Sequence, residues 1–169
     1  PDAPPLIVAP SPDFYRWTAA SMWTPGPLEP KALPSYYFVT EPDPSWPAER
    51  TEQHLRDLNT ATLTSISAHE AYPGHFVHLG HQRRIERNVR KSNLFAPVSF
   101  VEGWAHYCEQ MMVEQGLAEG NDSVELAQIA EMLLRLARMV VGIRLHTEDM
   151  SVEQGVRFFQ EEAYLEEVT

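Results

Sequence analysis

TATLTSISAHEAYPGHFVHLGHQ, residues 60–82, decides how the chain is read. Leu63 and Ile66 continue an apolar side begun by Leu55, Leu58 and Ala61, which predicts a helix from about Glu52 to Tyr72. Pro73-Gly74 interrupts it, and a second helix runs on to about Val89 with Pro73 in its first turn. Downstream, the pattern predicts a third helix from Ser99 to about Gln115, a fourth from Ser123 to His146 and a fifth from Ser151 to near Glu167. The last residues, from Glu161 on, read as helix running on without a cap. Ser151-x-x-Gln154 and Asp122-x-x-Glu125 have capping-box form. Upstream, Pro4, Pro5, Pro25, Pro27, Pro42, Pro44 and Pro47 exclude a long helix. Tyr36-Tyr37-Phe38-Val39-Thr40, aromatic and β-branched, reads there as one short strand, with an edge position suggested by the prolines around it. The expected architecture is mainly α: a Pro-rich segment carrying a short strand, residues 1–50, packed on a helical core, residues 51–169.

A chain of 169 residues is long enough for one domain with its own core. Thirteen basic against 24 acidic residues give a net charge of −11, a surface that repels phosphate backbones and anionic lipid and argues against nucleic-acid and membrane partners. Cys108 is the one cysteine, which excludes an internal disulfide and a Cys-rich zinc site. The most apolar stretch, Met132 to Leu145, is broken by Arg135, Arg138 and Arg144 and is too short to span a bilayer. PDAPPLIVAP lacks the basic and apolar regions of a signal peptide, and the chain starts without Met, so a piece of a longer protein is expected. Oligomeric state is not legible.

Five of the seven histidines (69, 75, 78, 81 and 106) fall within 38 residues. In the pattern H-E-x-x-H, two His four apart share a helix face and the Glu beside the first acts as general base to a metal-bound water. Here the second His comes six residues after the first. On an unbroken helix that is about 600° of rotation, which leaves His69 and His75 roughly 120° apart. Pro73 cannot donate to the preceding turn and Gly74 tolerates unusual torsions, so a break between them can return His75 to the face of His69. A third ligand has to come from another helix. Glu102, which could instead cap its helix through Ser99-x-x-Glu102, and Glu109, seven residues on, are both candidates. His106 and His78 read as packing residues or as partners of the ligands, His54 as a solvated residue and Trp104 as core.

HEAYPGH followed by FVEGWAHYCE resembles the bacterial DUF885 family, marked by HExxPGH and EGWAxYxE segments, and RLARMVVGIRLHTEDMSVEQ is similar to that family's following helix. The resemblance implies a zincin-like helical catalytic core of the gluzincin type, with Zn2+ held by His69, His75 and Glu102 and with Glu70 as base. It implies further that His146, or Tyr107, donates to the oxyanion of the tetrahedral intermediate. Arg138 is placed to fix a substrate carboxylate, or equally to stand as a surface arginine. Tyr37 belongs to the strand expected to align an extended peptide by β-addition.

These readings combine into an expected bacterial metallopeptidase, soluble and either cytoplasmic or exported, acting on a peptide or small amide substrate. Hydrolysis of small amides, or a non-catalytic helical binding domain with a degenerate site, are the competing expectations. Metal analysis separates the last of these from the others.

Overall fold

The computed structural model describes residues 5–31 and 33–166. The chain divides into two compact units, each made of two stretches: residues up to Glu41 with Thr64–Gly116, and Pro42–Leu63 with the residues from Leu117 on. It is mainly helical, with a small mixed sheet near its start.

In the first unit, β1 (Leu6–Pro10), β2 (Ala20–Trp23) and β3 (Ser35–Val39) form a sheet in the order β1-β3-β2. β1 runs parallel and β2 antiparallel to β3. The anticipated strand is therefore present, but in the middle of a sheet and not at its edge. Both backbone sides of β3 are paired, so it cannot receive an added peptide strand. LIVAP and ASMW were not legible as strands because they are short and stand beside loops rich in proline. On the face toward the helices, Tyr37 is buried and its hydroxyl lies 3.1 Å from Ser67 Oγ.

The helix anticipated from Glu52 to Tyr72 is two helices, α1 (Ala48–Asp57) and α2 (Thr60–Glu70). Asn59 divides them. Its side-chain carbonyl accepts the N–H groups of Ala61 and Thr62 at 2.9 and 3.1 Å, satisfying donors that a helix start leaves unpaired. The next helix, α3 (His75–Gln82), starts after Pro73 and stops well short of Val89. Short i to i+3 bonds, Arg84 N–H to His81 and Ile85 N–H to Gln82, close it, and α4 (Asn88–Lys91) is separate. α5 (Val98–Glu114) has Pro97 as its cap. Ser99 is consequently inside the helix, the Ser99–Glu102 capping box does not form, and Glu102 is left for other work.

In the second unit, α6 (Asp122–Thr147) is capped by Asn121, whose side chain accepts the Ser123 N–H, and not by the Asp122 box that its sequence suggested. The Ser151 box does form, at the start of α7 (Val152–Glu162). Helix α7 ends earlier than expected: Ala163 caps it and Tyr164 takes a left-handed backbone with φ 58°. The anticipated helix end near Glu167 lies outside the described residues. Gly155 brings α7 close to Val141 on α6, where an added Cβ would stand 3.1 Å from the valine Cγ1. Among the described residues no helix is long and apolar enough to cross a membrane.

Candidate metal centre

His69 and Glu70 end α2, and His75 begins α3. The chain between them doubles back tightly. The Gly74 N–H donates to the Ala68 carbonyl at 3.0 Å, and a Cβ on Gly74 would run into the His69 and Ala68 carbonyls. No residue but glycine fits such an approach. The Trp104 indole N–H, 3.2 Å from the Pro73 carbonyl, ties this corner to α5. Through it the two imidazoles face each other, with ring centroids 4.8 Å apart and planes at 86°. The six-residue spacing, a misfit on an unbroken helix, becomes a convergent pair across the break.

Glu102 comes to this pair from α5. Its Oε2 lies 3.6 Å from His69 Nε2 and 3.6 Å from His75 Nε2, and among the described residues these three side chains form a group whose donor atoms all fall within 4.8 Å of one another. For a tetrahedral zinc site with bonds near 2.0–2.1 Å, neighbouring donors stand about 3.3 Å apart. The observed separations are too long for direct hydrogen bonds. They are close to what an ion between the groups needs, so the cluster is able to coordinate a metal.

The other carboxylate candidate of α5 lies behind the pair. Glu109 Oε1 is 2.6 Å from His69 Nδ1, and Glu109 is among the most completely buried side chains of the chain. A buried carboxylate demands such a partner. Binding Nδ1–H, it turns Nε2 toward Glu102, the carboxylate–histidine arrangement that orients metal ligands. His106 Nδ1 stands 3.2 Å from the other oxygen of Glu109. The seven-residue spacing of Glu102 and Glu109 put both on one helix face, but not the division of labour between them.

Burial would lower the His69 pKa, but Glu102 and Glu109 outweigh it and raise the group to about 9. Reciprocally, His69 and His75 hold the Glu102 carboxyl well below the usual carboxylate range. Glu70 is buried, and burial pushes its carboxyl up, against the pull of His69 and His75 and a backbone hydrogen bond from Met22 of β2. That contact had no counterpart in the sequence reading. Tyr37 is raised by burial, with Glu70 adding to the effect.

The remaining candidates are placed as follows. Tyr107 is half exposed on α5, its ring 6.2 Å from that of Trp104. His78 packs against Phe100, and burial followed by His75 and His81 lowers its pKa. Cys108 is fully buried, and burial with Glu109 pushes its thiol up to about 11, which removes it as a nucleophile. Arg138 and His146 are exposed residues of α6, in the second unit, where His146 Nδ1 lies 2.7 Å from the Gly142 carbonyl of its own helix.

The solved structures similar to this chain include two proteins of bacterial origin. One is described as "a putative lipoprotein of unknown function" from Shewanella oneidensis, 31% identical, with a TM-score of 0.78, covering 96% of this chain. The other, "the putative lipoprotein" from Colwellia psychrerythraea, is 23% identical with a TM-score of 0.77 over 98% of this chain, and shows the shared fold. The chain spans 28% and 26% of those two proteins. No curated protein matches it. HEAYPGH and FVEGWAHYCE supply the three side chains that converge here, and the family described as "Bacterial protein of unknown function (DUF885)" matches over residues 1–169: the chain belongs to the DUF885 family.

Proposed function

We propose that the chain carries the metal centre of a zinc-dependent hydrolase of the gluzincin type, with His69, His75 and Glu102 as ligands, and that it cleaves peptide bonds. One observation carries the reading: two imidazole Nε2 atoms converge on one carboxylate oxygen while a second, buried carboxylate holds the far side of His69. Zinc, when bound, supplies a water acidified toward a pKa of about 7 and polarises a carbonyl oxygen.

The chain's own residues divide the remaining work. Glu70 stands next to the ligand pair in a buried setting that raises its carboxyl, which suits a base that takes a proton at its carboxylate oxygen and returns it to the leaving amine. Glu109 fixes the ring of His69. An extended substrate belongs along β2, the strand at the sheet edge on the Glu70 side, and not along β3. Met22 donates to Glu70 from that strand, which places the edge of β2 beside the base. Tyr37 lies beneath, bonded to Ser67, and supports the strand. His146, by the family resemblance, or Tyr107 is proposed as oxyanion donor, and Arg138, two turns before His146 in sequence, as carboxylate anchor or equally as a surface arginine.

Metal analysis of the purified protein tests the ligand set. One zinc per chain is expected, with loss on His75→Ala. Glu70→Gln is expected to keep the metal and to lose peptidase turnover by about a hundredfold or more. Zinc retained by His75→Ala, or full turnover by Glu70→Gln, would overturn the assignments. Peptides and small amides assayed side by side decide the substrate class.

A further inference from the structure

A chain of net charge −11 carries one concentrated basic stretch. RRIERNVRK, residues 83–91, holds five of its 13 basic residues and only one acidic residue, Glu86. Arg83 points inward and donates to the carbonyls of Gly26 and Glu29. Arg84, Arg87 and Arg90 are exposed. Directly after them come apolar side chains that are just as exposed: Leu94 is 89% and Phe95 69% accessible.

Leu94 and Phe95 share one tight turn, Asn93–Phe95, and that turn is anchored. Gln82, buried at the end of α3, donates to the Lys91 carbonyl at 2.9 Å and to Asn93 Oδ1 at 3.3 Å. Ser92 Oγ accepts the Leu94 N–H at 3.3 Å. The fold thus holds the two apolar side chains out. Val89 before the turn and Val98 after it are exposed as well.

We propose that this surface docks on an anionic lipid leaflet, with Leu94 and Phe95 entering the boundary between headgroups and acyl chains and Arg84, Arg87, Arg90 and Lys91 meeting lipid phosphates. The occupant follows from charge and shape together. Four cations in the stretch that leads directly into an apolar tip complement an anionic interface. Leu94 is nine-tenths exposed, and a fluid leaflet accepts a side chain that projects in this way. The long arginine and lysine stems add apolar contact of their own at such a depth. The acidic remainder of the chain does not forbid the contact, because charges more than about 8 Å apart in physiological salt are largely screened. Whole-chain charge argued against membrane partners; the local distribution reverses that expectation for this one face. The inference does not rest on the hydrolase reading.

Co-sedimentation of the purified protein with vesicles tests it. Binding to phosphatidylglycerol vesicles is expected, with little binding to phosphatidylcholine and with salt dependence. Arg87→Glu and Arg90→Glu should each weaken it about fivefold or more. Leu94→Ser combined with Phe95→Ser should weaken it about tenfold at unchanged charge. These positions are exposed, and circular dichroism checks that each variant is folded. No binding to phosphatidylglycerol, equal binding to both lipids, or full binding by the Leu94/Phe95 variant would overturn the proposal. Polyglutamate serves as the comparison ligand: tighter binding to it, insensitive to Leu94 and Phe95, would assign the surface to an acidic protein segment and also overturn it.

Discussion

Glu109 shows how much of a candidate metal centre sits one bond away from the side chains that converge there. Its Oε1 lies 2.6 Å from His69 Nδ1, and the carboxylate is fully buried where it holds that ring. Glu109→Gln keeps the shape and loses the charge, so zinc affinity measured by chelator competition should fall about 10- to 100-fold. The sign of the pH dependence follows from His69. With its pKa raised from the ordinary 6.5 to about 9 by Glu102 and Glu109, the metal-free protein has that stabilisation in full below the unfolded pKa and loses it as pH rises through about 9. Denaturant melts of the metal-free protein should therefore show declining stability between pH 6.5 and 9. Zinc binding needs the neutral ring and should tighten across that same window.

At the scale of elements, the corner between α2 and α3 does the decisive work. Gly74→Ala places a methyl group on the His69 carbonyl, and the backbone must open to receive it. A loss of about 2 kcal/mol or more in urea unfolding is expected, with weakened zinc binding because His75 moves with the corner. This corner was legible in the sequence, since Pro73-Gly74 and the wrong spacing of two histidines explained each other. The helices of residues 98–162 were legible too, from periodicity and the Ser151 cap. Other parts were not. Asn59 splits a helix through its side chain, a choice that periodicity does not register. The place of β3 in its sheet depended on two partners distant in sequence, and an isolated strand pattern does not say how many neighbours it has. Spacing put Glu102 only modestly ahead of Glu109, and the direction of approach of α5 is what separates them.

For the whole molecule, a metal held by residues of α2, α3 and α5 ties together segments that span residues 60–114. A ligand that binds the folded state alone raises its stability by mass action, by about 4 kcal/mol when free zinc exceeds the dissociation constant a thousandfold. Removing zinc with a chelator should thus lower the melting temperature by several degrees, and His75→Ala should melt at the lower temperature with or without added zinc. An unchanged melting temperature on chelation would show that the cluster holds no metal that matters to the fold.

Glu102 and Glu109, both on α5, differ most in access. The Glu102 side chain is 57% exposed, whereas the histidines beside it and Glu109 behind them are enclosed. An ion entering or leaving would pass on the open side, past a carboxylate that is also one of the proposed ligands. Shortening the open residue by Glu102→Asp is expected to weaken zinc binding and to speed exchange with solvent together, whereas Glu109→Gln, behind His69, acts on affinity with the entrance unchanged.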